Sequence, residues 1–169
     1  MLNVWPYVAR HAIHDTEEAG RLQQEAILSN LVLLAVTSRA MERYDPEIGP
    51  IPDEWLQLDE GERIYVVEQF HRDTGVQLPN LFVHAAFHVI VENQLALSDQ
   101  VVVRDTLQRL IREGLSRHDA VHAIGSVLAV RVYDLLQPGA SAADSEAKYH
   151  AKLRRLTAKR WRSGKTAEE

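Results

Sequence analysis

Two stretches hold the residues best placed to do chemistry: HAAFHVIVENQ, His84 to Gln94, and RHDAVHAI, Arg117 to Ile124. Each carries two histidines four residues apart, so four of the chain's eight histidines fall into two matched pairs. On a helix, residues four apart share a face and lie roughly 6 Å from each other, so two imidazoles at that spacing can grip one ion. Neutral imidazole suits zinc, copper, iron and nickel, and nitrogen donors without thiolate do not choose among them. His84, His88, His118 and His122 are therefore the candidate metal ligands, with a divalent transition metal (zinc, iron or nickel) as the expected cofactor. Glu92 extends the first pair to His-x3-His-x3-Glu. The ends of that motif lie about 12 Å apart on a helix rising about 1.5 Å per residue. Glu92 is thus either a ligand beside His88 or the carboxylate that orients the ligands.

Apolar residues surround both pairs. Ala85, Ala86, Phe87, Val89, Ile90 and Val91 flank the first, and Ala120, Val121, Ala123, Ile124 and Val127 the second. Burying an imidazole with no partner costs about 1–3 kcal/mol. The histidines are accordingly either ligands or a hydrogen-bonded lock between two helices.

Other patterns carry weaker chemistry. Glu68 and His71 have the Glu-x2-His spacing of di-iron bundles, but no second copy accompanies them. RHDAVH places Asp119 where the zinc-protease helix has glutamate, and the shorter side chain reaches a metal-bound water poorly. His11 and His14, three apart, precede the first expected helix. No Gly-rich phosphate loop and no Gly-x-Ser-x-Gly elbow are present. With no cysteine, disulfides, thiolate sites and cysteine nucleophiles are excluded.

The elements that must position these groups read as helices. A helix is expected over 16–43, with Glu17 and Glu18 in its first turn. The stretch 44–55 holds three prolines and a glycine and reads as a loop. Asp59 caps a helix running to His71. Leu78-Pro79-Asn80 opens another that runs to Leu97, with proline in the tolerated first turn. A helix over 101–113 stops at Gly114, and Ser116 caps one over 117–136. The last spans 143–162, followed by a frayed tail from 163. The fold class is all-α, a compact bundle of about five or six helices. The helices over 78–97 and 117–136 are expected to pack as neighbours with their histidines facing.

The chain has 169 residues, enough for one compact core, and is 46% hydrophobic with a formal net charge of −5. That charge does not favour nucleic-acid binding by the body as a whole. From Ser141 onward there are eight Lys+Arg against four Asp+Glu, and before it 11 against 20. Lys148, Lys152, Arg155, Lys159 and Arg162 would form one basic stripe. We divide the chain into a helical core domain over 1–140 and a basic C-terminal helix and tail over 141–169. The N-terminus lacks a signal-peptide pattern, and the apolar run over 26–41 is too short and polar to span a bilayer of roughly 20 apolar residues.

LPNLFVHAAFHVIVENQLAL followed by TLQRLIREGLSRHDAVHAIGSVLA resembles uncharacterised bacterial proteins of unknown function that share the two histidine-paired helices. The resemblance covers roughly Trp55 to Leu136. It implies that the pairs are a family signature in a small cytoplasmic domain, and it brings no activity, cofactor or catalytic residue.

The function expected is a cytoplasmic metal-binding protein, extending to a metal-dependent enzyme of unknown substrate whose site keeps a position open for water. The alternative is a non-catalytic interaction module with a structural histidine cluster. The expected partners are a second copy of the chain, giving a homo-oligomer, and an acidic protein or nucleic acid on the basic helix.

Overall fold

The computed structural model describes residues 43–164. The helix expected over 16–43 (Arg43 apart), the His11–His14 pair and residues 165–169 of the tail lie outside the described residues. Seven helices are described: α1 (Pro52–Gln57), α2 (Glu60–Asp73), α3 (Leu81–Ala96), α4 (Val101–Arg112), α5 (Arg117–Leu135), α6 (Ala142–Arg155) and α7 (Ala158–Arg162). There is no strand among the described residues. The helices pack on one another as an all-α bundle, with α3 against α1, α2, α4 and α5, and α6 against α4 and α5.

Local chemistry sets the helix ends. Asp59 accepts from the Glu62 amide while Glu62 accepts from the Asp59 amide, a reciprocal cap for α2. Ser116 accepts from the Asp119 amide and starts α5. Gly114, at φ +91°, takes the left-handed turn that ends α4.

Three boundaries depart from the sequence expectation. The proline-rich stretch is not all loop: Pro52 opens α1, because a first-turn residue has no intrahelical N–H bond to lose. Pro79 lies outside α3, which Asn80 caps by accepting from the Val83 amide. The helix expected over 143–162 is two helices. Leu156 leaves the helical region at ψ 130°, and the Thr157 side chain accepts from the Arg160 amide to start α7. α4 holds this break: Arg109 donates to the carbonyls of Leu153 and Leu156, and Glu113 accepts from the Ala158 amide at 2.7 Å. The basic stripe therefore bends after Arg155 instead of continuing along one axis.

The interior has two apolar parts. The larger joins Leu107 and Leu110 of α4, Ile124 and Val127 of α5, and Tyr149 and Leu153 of α6. The smaller gathers Tyr44, Trp55, Val67, Ala85 and Val89 from the 43–50 segment, α1, α2 and α3. No single described helix is long and apolar enough to cross a membrane.

Candidate metal centre

Histidines from α2, α3 and α5 converge. His84 and His88 of α3 face His118 and His122 of α5, and the Nε2 atoms of His84 and His122 are 3.3 Å apart. A tetrahedral ion with metal–nitrogen bonds of about 2.0–2.1 Å spaces its ligand nitrogens about 3.3 Å apart. His71 of α2 joins them, its ring centroid 4.4 Å from that of His84 and 4.9 Å from that of His88. Five of the eight histidines thus form one cluster.

The ring nitrogens of His71, His84 and His88 lie close enough to hold one ion, and so do those of His88, His118 and His122. His71 is 3% exposed and His88 2%, while His84, His118 and His122 are half-buried. The Nε2 atoms of His71, His88 and His118 are buried and have no hydrogen-bond partner. Leaving one such atom unmet costs about 1–3 kcal/mol.

Burial is the main reason all five imidazoles stay neutral. Desolvation and the neighbouring histidines lower the pKa of His71 to about 4 and that of His122 to about 3. His84 is lowered by burial and His118, and His88 by burial and the four rings around it. Burial lowers His118 too, although Glu47, Asp119 and Asp45 pull the other way. A neutral imidazole keeps the nitrogen lone pair that a metal needs.

A second set of residues fixes His88. Tyr44 donates its only proton to Glu92 Oε1 at 2.8 Å, so its oxygen accepts from His88 Nδ1 at 3.2 Å. His88 therefore carries its proton on Nδ1 and turns a bare Nε2 into the cluster. Both Glu92 oxygens take a fork from Arg117, each at 2.7 Å, and Glu92 is 1% exposed. Burial opposes the charge on Arg117, and Glu92 more than offsets it, raising the Arg117 pKa. Burial and then Glu92 push the Tyr44 hydroxyl well up, so it stays a donor.

The segment before α1 wraps this pair. Arg117 donates to the Pro46 carbonyl at 2.8 Å, and Glu47 accepts from the Arg117 amide at 3.1 Å in the first turn of α5. Gly49, at φ +80°, lies so close to Arg117 that a Cβ there would fall 2.4 Å from the guanidinium carbon. Glycine is required on both counts.

The three polar residues ending HAAFHVIVENQ each fasten a different element. Glu92 takes Arg117 and Tyr44. Asn93 accepts from Trp55 Nε1 at 2.7 Å and Arg63 at 2.9 Å. Gln94 accepts from the Tyr149 hydroxyl at 2.8 Å.

The minor patterns resolve differently. Glu68 pairs with Arg72 at 2.6 Å, so the Glu68–His71 motif gives the cluster its histidine alone. Asp119 is exposed at the start of α5. Sequence reading left out Tyr44 and Arg117, and named His71 only as the partner of Glu68 and not with the two histidine pairs. His71 shows a usable signal, a histidine four residues after Val67 on the buried side of α2. Arg117 adjoins the second pair, and only the fold shows its partner 25 residues away. Tyr44 gives no local sign of its role.

The class defined by these features is an all-α domain whose helices gather five imidazoles into one cluster of two triads sharing His88, backed by a tyrosine–glutamate–arginine network. The chain belongs to the family described as a domain of unknown function, DUF1841, whose model matches residues 48–155. Comparison with curated proteins and with solved structures gave no match.

Proposed function

We propose that this protein binds a divalent first-row transition metal, using His84, His88, His118 and His122 together with His71. One observation carries the reading: three buried Nε2 atoms without a partner, crowded at one place. Folded proteins rarely leave such atoms unmet, and metal held by the two histidine triads that share His88 would give each of them a partner. Glu92 acts through Tyr44 on His88, holding the tautomer that leaves Nε2 free, as carboxylates behind ligand histidines do. An enzyme built on this centre would use the ion to activate water or polarise a substrate.

The 3.3 Å contact between His84 and His122 favours a second reading, a hydrogen-bonded histidine lock with no metal. Metal analysis of tag-free protein separates the two. Binding predicts about one equivalent of transition metal, lost when His88→Ala and His122→Ala are combined. Metal well below one equivalent, or content unchanged by that double substitution, sinks the metal reading.

A further inference from the structure

Granted the metal reading, on which this inference rests, the cluster offers two places for an ion. The inner one is His71, His84 and His88, and the outer one is His88, His118 and His122. Within the inner triad the ring centroids are 4.4, 4.8 and 4.9 Å apart, and within the outer one 4.3, 4.8 and 5.2 Å. Between the triads His71 stands farther off, 5.6 Å from His118 and 6.5 Å from His122. The two places adjoin where His84 meets His122, their Nε2 atoms 3.3 Å apart.

His88 decides how the two are filled. Tyr44 holds its Nδ1, so Nε2 alone serves both triads. That nitrogen has a single lone pair and bonds one ion at a time. Both places lie one bond of about 2.1 Å from the same atom, hence within about 4.2 Å of each other. Two dications at that spacing repel strongly unless an anion lies between them. Glu92 is held by Arg117 and Glu68 by Arg72, so neither carboxylate is free to bridge. Neither place wins outright. An ion in the inner one gives the Nε2 atoms of His71 and His88 a partner and leaves that of His118; an ion in the outer one leaves that of His71. Each occupancy leaves one buried nitrogen unmet, at a similar cost.

We infer that the cluster holds one ion at a time in two overlapping three-histidine seats, and that the ion passes between them on His88, exchanging His118 and His122 for His71 and His84. The outer seat is the way in. Two of the inner ligands, His71 and His88, are almost fully buried, whereas His118 and His122 of the outer seat are half-buried. Glu47, Asp119 and Asp45 also act on His118 with their negative charge, and that charge draws a cation to the outer side.

Cobalt(II) titrated without oxygen into metal-free, tag-free protein should stop at one ion per chain. His71→Gln and His118→Gln should each keep that ion, with affinity lowered about two- to tenfold and with visible spectra that differ from each other. His88→Gln spoils both seats and should lower affinity more than about a hundredfold. His118→Gln, lacking the outer seat, should load about tenfold more slowly than His71→Gln. Cadmium-113 NMR on the unsubstituted protein needs no variant: one cadmium per chain should give two signals on cooling that merge on warming. Two ions per chain, one sharp signal that neither splits nor broadens on cooling, or loss of binding with His71→Gln or His118→Gln alone overturns the two seats and leaves the metal reading standing. Equal loading rates overturn entry at the outer seat. Protein that takes up neither cobalt nor cadmium defeats the metal reading itself.

Discussion

Two regions of the interior solve burial in different ways. Around α4 and α6 the core is Leu107, Leu110, Ile124, Val127 and Leu153, which need only be kept from water. Between α2, α3 and α5 the space is filled by five imidazoles and by Glu92, Arg117 and Tyr44, each of which loses hydration on burial. The first region is stabilised by shape and area. The second is stabilised only when every polar atom has a partner, and three of its Nε2 atoms lack one. The contrast assigns packing to the apolar half and the candidate metal centre to the histidine half.

The largest expected effect breaks the second region while leaving the first intact. Glu92→Ala strands the buried Arg117 charge and frees Tyr44. It should cost about 3–5 kcal/mol in denaturant unfolding and weaken metal binding as well. Leu110→Ala is the converse: a loss of about 2–5 kcal/mol, with metal affinity unchanged. Equal loss of metal by both variants would show that the two halves are not separable.

Acid should act on the histidine half alone. Unfolded imidazoles titrate near 6.5, while the folded pKa values of His71 and His122 fall to about 4 and about 3. Between those values the unfolded chain holds the extra protons, so metal-free stability falls as pH drops from about 6.5 toward 3, and is flat above that window. Bound metal should be released over the upper part of the same range, since protons compete for the nitrogens. Unfolding midpoints measured from pH 8 to 4 check this, and a flat profile would refute the crowding of neutral imidazoles. The smallest effect is Tyr44→Phe, which removes one hydroxyl between His88 and Glu92. It should cost about 1–3 kcal/mol and loosen metal more than Leu110→Ala does.

Much of this was readable from the residues. Asp59, Gly114 and Ser116 marked helix ends through local hydrogen bonding, which depends on a few neighbouring positions. The pairing of α3 with α5 was an expectation prompted by two four-residue histidine spacings on apolar faces, and the fold supplies the facing that spacing alone does not decide. What escaped depends on distance along the chain or on competing local signals. Pro52 looked like a breaker because proline disrupts every part of a helix except its start. The turn at Leu156–Thr157 interrupts a run with good helical period because Arg109 and Glu113, more than 40 residues earlier, hold its carbonyls and amide. His71 had Glu68 as an obvious local partner, but Arg72, four residues after Glu68 on the same helix, competes for it and takes it.

The run Glu92-Asn93-Gln94 has a consequence for how this chain tolerates change in length. Three successive side chains lie about 100° apart around the α3 axis, and each reaches a different neighbour. A single-residue insertion or deletion between His88 and Glu92 would rotate all three by that angle, parting Glu92 from Arg117, Asn93 from Trp55 and Gln94 from Tyr149 at once. Substitutions here act on one contact at a time, but a shift of frame within the helix acts on the whole bundle. The middle of α3 should therefore be fixed in length wherever the fold occurs, and length variation belongs to the turns between helices.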